Sequence, residues 1–343
     1  MSELRFQPDK EGRLLLPERC IIATSCYETQ DEREVVTMAM EKILYALAVV
    51  GMDLRDLDGI TISADCRADA TALQRMPEGQ ICLEMSDLPD TMEMARTVAV
   101  RQGKELKFHI VLRAGIGLMA LSPEKKLQEL AYACIAHEAA HVEHEGHLSR
   151  TFPGIYNCPL DCGDRSRQTF LKSLDVWSEY AACRSSAMFR PEAVGEFENI
   201  FCRAFKASLT ASAKLIATFR QNRNAKDVFV GIQQLFGDVF IHAGYFLGHL
   251  DGLELTLEHD APRATELLQK YPQNYPLFVR LGRVLHELWL SEYAWQSIEV
   301  FMSIYELISE MMSLHGLKFV RDVDKWRIVM SEDAQAMDAI LSA

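Results

Sequence analysis

The chain has 343 residues, of which 49% are hydrophobic, so it can bury a substantial core without disulfides. Its formal net charge of -13 opposes any broad surface for phosphate backbones or anionic lipids, and we predict no direct nucleic-acid partner and no membrane partner. Nine cysteines show no regular spacing, and the amino terminus lacks the charged and then apolar layout of a secretory signal. Both features favour a location in the reducing cytoplasm.

The first third of the chain mixes helical and strand patterns. Apolar residues at three-to-four spacing predict a helix over 31–51, and alternation over 58–66 predicts a short strand. The stretch 89–106 has a helical pattern that closes at a glycine. Residues 107–115 are rich in β-branched and aromatic side chains and predict a strand, with a further strand through 116–121.

A helix is predicted to begin at Ser122, where a capping residue is followed by a proline and an acidic residue. Residues 148–170 contain prolines, glycines and many polar side chains, and a connection of that length is typical of a loop that borders a functional site. Beyond this loop nearly every segment has a helical pattern. The predicted helices cover 171–189, 192–220, 227–250, 262–270, 275–290, 292–314 and 332–342.

The most apolar stretch, 228–250, is long enough to span a bilayer but carries Gln233, Asp238 and His242 through its middle. Because these polar groups would be costly in lipid, we predict a buried helix instead. A composition shift near Pro191 suggests a domain boundary, with domains over 1–190 and 191–343. The predicted fold class is α+β, with a small sheet and its helices followed by a mostly helical second half.

The predicted helix after Ser122 carries a metal-binding pattern, His-Glu-x-x-His, formed by His137, Glu138 and His141. Residues four apart lie above one another on a helix, so the two imidazoles project from one face at the separation that a single zinc ion needs. Glu138 is rotated away by about 100 degrees, where its carboxylate can reach a water molecule bound to the metal. This residue is therefore the candidate general base.

A catalytic zinc usually takes three protein ligands, and two residues compete for the third place. His147 fits the longer pattern of the metzincins, but His144 stands where that pattern has a glycine, and Gly146 follows two residues late. Glu179 lies on a later predicted helix, beside small alanines that would allow a close approach between helices. We favour Glu179, and His147 stays the alternative.

On these residues the chain resembles the zincin metallopeptidases, with a gluzincin-like third ligand, and it is similar in plan to the ImmA/IrrE-like peptidases. The resemblance covers about residues 58–190. It implies His137 and His141 as zinc ligands, Glu138 as general base and a glutamate such as Glu179 as third ligand. It also implies that the predicted strand 107–115, or the one after it, is the edge on which an extended substrate pairs.

The expected function is that of a cytoplasmic Zn²⁺-dependent endopeptidase acting on a protein or peptide substrate. Two alternatives stay open, a non-catalytic binding protein that keeps a zincin-like fold and a zinc hydrolase of a small molecule. His242, Tyr245, His249, Tyr180 and Arg184 are weaker candidates for stabilising the oxyanion. Cys158 and Cys162 could form a second metal site, but ordinary loop thiols are the favoured interpretation.

Overall fold

The computed structural model describes residues 2–4, 14–73, 94–102, 105–153, 155, 163–222, 225–322 and 325–330. The chain forms two compact units. The first comprises Met1–Asp161 and Ala181–Pro191, and the second comprises Cys162–Tyr180 and Glu192–Ala343. The predicted α+β class is confirmed, while the predicted boundary at residue 190 stays a prediction.

The first unit is built on a mixed sheet of five strands in the order β1-β2-β3-β5-β4. These strands are β1 (Ser2–Leu4), β2 (Cys20–Ala23), β3 (Leu57–Ser63), β4 (Ala95–Gln102) and β5 (Glu105–Arg113). Strands β2, β3 and β5 run parallel, and β1 and β4 pair antiparallel at the two ends of the sheet. The strands predicted over 58–66 and 107–115 are confirmed.

The helices of the first unit are α1 (Gln30–Val49), α2 (Cys66–Leu73), α3 (Ala114–Ala120) and α4 (Lys125–Thr151). Helix α1 begins at a capping box formed by Thr29 and Glu32. Helix α4 packs against β4 and β5, so the sheet supports the helix that carries the histidines. Its N-cap is Glu124 rather than the predicted Ser122, whose hydroxyl accepts a hydrogen bond from the Glu124 amide instead.

Two predicted elements of this unit have the wrong type of secondary structure. The predicted helix over 89–106 contains strand β4, in which Val98 and Val100 are buried with period two and pair with β5. The predicted strand over 116–121 lies largely in helix α3. Gly117 allows this helix to approach the Tyr27 hydroxyl closely, because a Cβ there would clash with that oxygen. Short apolar runs do not distinguish strand from helix without their partners.

Most of the described residues of the second unit are helical. Helix α5 (Gly163–Ser186) begins in this unit, and its last residues belong to the first. The other helices are α6 (Val194–Asn222), α7 (Ala225–Gly252), α8 (Leu257–Asp260), α9 (Pro262–Gln269), α10 (Tyr275–Leu290) and α11 (Met302–Leu314). Aromatic rings fill the core between α6, α7 and α10. The ring centroid of Phe201 lies 5.6 Å from that of Phe246 and 5.0 Å from that of Phe278.

The last part of the second unit differs from the prediction. Residues 292–297 precede a short 3-10 helix at Ile298–Phe301 and are not helical, so the predicted helix over 292–314 begins ten residues late. The hairpin of β6 (Leu317–Asp322) and β7 (Lys325–Met330) was not predicted. The predicted helix over 332–342 lies outside the described residues. Among the helices of the described residues, α7 included, none is long and apolar enough to cross a membrane.

Candidate metal centre

His137 and His141 lie one turn apart on α4 and direct their Nε2 atoms toward one point. These two atoms are 3.1 Å apart, and the ring planes are nearly perpendicular, at 86°. The helical period alone places both rings on one face, as the sequence predicts. His141 is 3% exposed, so its ring is held within a packed environment. Two imidazoles in this arrangement offer two ligands to one cation.

Glu179 of α5 completes a group of three potential ligands. The ligand atoms of His137, His141 and Glu179 all lie within 4.8 Å of one another. Glu179 is 4% exposed, although carboxylates are seldom buried unless a partner compensates their charge. Two imidazoles and one carboxylate are a donor set that suits zinc at a catalytic site. The group could therefore hold a metal ion.

His147, the alternative third ligand, is directed elsewhere. Helix α4 does not turn at Gly146 but continues to Thr151. Six residues along a continuous helix place His147 about 9 Å beyond His141 and on another face. Its Nε2 lies 3.5 Å from Oδ2 of Asp53. Gly146 serves packing instead, because a Cβ there would approach the Asp56 carboxylate to 2.5 Å.

The carboxylate of Glu138 is held against the edge strand of the sheet. The Thr97 hydroxyl of β4 lies 2.8 Å from Oε2 of Glu138 and 3.0 Å from its main-chain carbonyl oxygen. Glu138 is 5% exposed. Thr97 was missed from the sequence because its segment was predicted to be helical. Only the pairing of β4 with β5 places Thr97 beside α4.

Cys183 is a second residue that the sequence analysis missed. Its Sγ lies 3.7 Å from Nδ1 of His137, and the side chain is 1% exposed. Because Nε2 of His137 points toward the candidate ligand group, its Nδ1 can carry a proton and donate to the sulfur. This contact would fix the ring orientation. The sequence held one indication of this contact: Glu179 and Cys183 are four residues apart on one helix and therefore share a face.

His144 anchors α4 to the end of α5. Its Nε2 lies 3.2 Å from the Ser185 hydroxyl, and its ring also hydrogen-bonds the backbone of Ala181. Burial, with the neighbouring His141 ring, lowers the pKa of His144 to about 3, so the ring is neutral. Ala181 and Ala182 are wholly buried, as expected where helices approach closely. His144 is thus a packing residue.

Four of the five weaker sequence candidates lie in the second unit, namely Tyr180, His242, Tyr245 and His249, whereas Arg184 lies in the first. His249 packs on Phe197, with centroids 4.6 Å apart, and the Tyr180 hydroxyl donates to Asp251. Burial lowers the pKa of His242, which favours its neutral form. Cys158 and Cys162 lie outside the described residues.

Comparison with known proteins identifies no relative. No protein-family model, no curated protein sequence and no solved structure matches the chain significantly. The function is therefore inferred from the geometry of the site.

Proposed function

We propose that this protein is a zinc-dependent peptidase that cleaves a peptide or protein substrate of the cytoplasm. The observation that carries the proposal is the convergence of His137, His141 and Glu179 within 4.8 Å, with Glu138 directly following His137 on α4. Three ligands leave a tetrahedral zinc ion one position for water or substrate, which is the arrangement of catalytic sites. A structural zinc site would use four protein ligands.

In this proposal the two histidines and Glu179 hold the ion, and Glu138 handles protons. When bound, zinc lowers the pKa of a water molecule toward about 7 and polarises a carbonyl group. Glu138 would accept the proton of the attacking water and deliver it to the leaving amine. Thr97 would keep the carboxylate in one orientation by its hydrogen bond at 2.8 Å. Glu138 thus has the role of general base and acid.

The substrate is expected to pair with β4. Strand β5 is paired on both sides, by β3 and β4, so it cannot accept a further strand. Among the residues that the structure describes, no strand pairs with the other edge of β4. Because Thr97 of β4 contacts Glu138, an extended peptide added to this edge would lie close to the general base. This favours a peptide over a compact small molecule.

The decisive experiment replaces Glu138 with Gln. Purified protein is loaded with zinc, its metal content is measured by mass spectrometry, and cleavage of a proteome-derived peptide library is followed by liquid chromatography and mass spectrometry. We expect Glu138→Gln to keep one zinc ion per chain and to lose at least about 100-fold in cleavage rate, since general acid-base catalysis contributes about that much or more.

The matched control is Glu129→Gln, which removes a carboxylate on the same helix that pairs with Lys125 one turn earlier. This variant should cleave like the wild type. Full activity of Glu138→Gln would overturn the proposal. A wild-type protein that binds no zinc and is unaffected by chelators would instead favour a non-catalytic binding protein.

A further inference from the structure

The second unit contains a cavity that the proposed function does not use. Its volume is about 430 Å³, within the range of small-molecule sites. Helices α7 and α10 and the segment 255–259 form its walls. Most of the lining is apolar and is contributed by Leu247, Leu250, Leu255, Leu257, Phe278 and Val279.

Gly282 keeps the wall of this cavity open. A glycine inside a helix costs about 0.5–1 kcal/mol relative to alanine, so its presence in α10 needs a reason. In α7, Gly244 and Gly248 have such a reason, because a Cβ at either would clash with a carbonyl oxygen of α5. At Gly282 the nearest atoms to a Cβ would be methyl carbons of Leu247, 3.9 and 4.0 Å away. No close packing requires this glycine, whereas a larger side chain would project into the cavity.

The acidic groups at the cavity already have hydrogen-bond donors. Asp251 accepts from the Tyr180 hydroxyl and contacts Nδ1 of His286 at 2.9 Å. Glu258 accepts from the Tyr275 hydroxyl at 3.0 Å. These donors satisfy acceptor oxygens of both carboxylates, which lowers the hydrogen-bonding gain that a cationic ligand would make with them.

Arg283 is the contrasting basic group. It lines the cavity and is exposed, and within the described part of the chain no carboxylate lies at ion-pair distance from it. Arg280, one turn earlier on α10, pairs instead with Glu310 at 2.7 Å and does not line the cavity. A guanidinium beside an apolar cavity can bind a carboxylate through two parallel hydrogen bonds.

We propose that this cavity binds a small amphipathic carboxylate, with its hydrocarbon body on Leu247 and Phe278 and its carboxylate on Arg283. The proposal does not depend on the metal centre. It rests on the open apolar lining, on the glycine that keeps the lining open and on the Arg283 guanidinium, which has no carboxylate at ion-pair distance among the described residues.

Binding is tested by isothermal titration of the full chain with octanoate, octylamine and octanol, which share one hydrocarbon chain and differ in head group. We expect octanoate to bind at least about tenfold more tightly than the other two, because a hydrogen-bonded charged pair contributes about 1.5–3 kcal/mol. Tighter binding of octylamine, or no octanoate binding at millimolar concentration, would overturn the proposal.

Two variants locate the bound molecule. Gly282→Leu should abolish octanoate binding by filling the cavity, and Arg283→Gln should weaken it about tenfold or more. Arg280→Gln, on the same helix, should leave octanoate affinity unchanged. Circular dichroism checks that each variant folds, and Arg283→Gln decides the question if Gly282→Leu does not fold. Octanoate affinity that is unchanged in Arg283→Gln would contradict the proposal.

Discussion

Cys183 occupies a place where metal-binding histidines usually meet a carboxylate or a carbonyl oxygen. Its sulfur lies 3.7 Å from Nδ1 of His137. A thiol is a weaker hydrogen-bond acceptor than a carboxylate and is uncharged when protonated. The orientation of His137 in this chain therefore depends on a softer contact than usual, and the identity of residue 183 should influence the affinity for metal.

We expect Cys183→Ala to lower zinc affinity by about 10- to 100-fold, the usual effect of losing such an outer contact, and Cys183→Asp to raise it relative to Cys183→Ala. Competition with a chromophoric chelator measures both affinities. Cys202→Ala in α6 is the control and should bind zinc like the wild type, because Cys202 lies on a helix that carries none of the three candidate ligands. Equal affinities for all variants would show that Cys183 has no positioning role.

At the scale of elements, α7 approaches the backbone of α5 through two glycines. A Cβ on Gly244 would lie 2.7 Å from the Val176 carbonyl oxygen, and a Cβ on Gly248 would clash with the carbonyl oxygen of Tyr180. The two helices thus touch main chain to main chain along the segment that precedes and follows Glu179. Close contact of this kind leaves little freedom for the segment of α5 that carries Glu179, the candidate third ligand.

Gly248→Ala is expected to destabilise the protein by about 1–3 kcal/mol, since overpacking forces backbone shifts. Gly282→Ala is the matched control, because the same substitution in α10 meets only methyl groups in ordinary van der Waals contact and should stabilise the helix by up to about 1 kcal/mol. Urea unfolding curves compare the two. Equal midpoints would contradict the packing argument.

At the scale of the whole molecule, stability should depend on pH through buried neutral imidazoles. Burial lowers the pKa of His315 from its ordinary value of 6.5 to about 4. The amide of Asn274 lies 3.3 Å from Nε2 of His315 and can donate to it only while this nitrogen is unprotonated. Between pH 4 and pH 6.5 the unfolded chain therefore binds a proton at His315 more tightly than the folded chain does.

The contribution of His315 to stability is therefore complete above pH 6.5 and is lost as the pH falls from 6.5 toward 4. One such group contributes a slope of at most about 1.4 kcal/mol per pH unit. We expect His315→Gln to flatten the pH dependence of the free energy of unfolding within this window, as measured by urea titrations at several pH values. An unchanged slope would show that His315 titrates normally in the folded chain.

The sequence by itself determined the part of the site that depends on one helix. The 3.6-residue period places His137 and His141 on a common face whatever surrounds them, and the structure agrees. The long helices of the second half were likewise predicted from the spacing of apolar residues, because such patterns extend over many turns.

Only the tertiary structure decided what lies opposite that face. The pattern of residues 89–106 predicts a helix. In the structure, β4 pairs with β5 as a strand, and this pairing brings Thr97 next to Glu138. Whether His147 or Glu179 lies near the rings of His137 and His141 depends on whether α4 turns at Gly146 or continues to Thr151, and on the position of α5. Contacts between residues about 40 positions apart in the chain are set by packing of whole elements, which a local pattern does not encode.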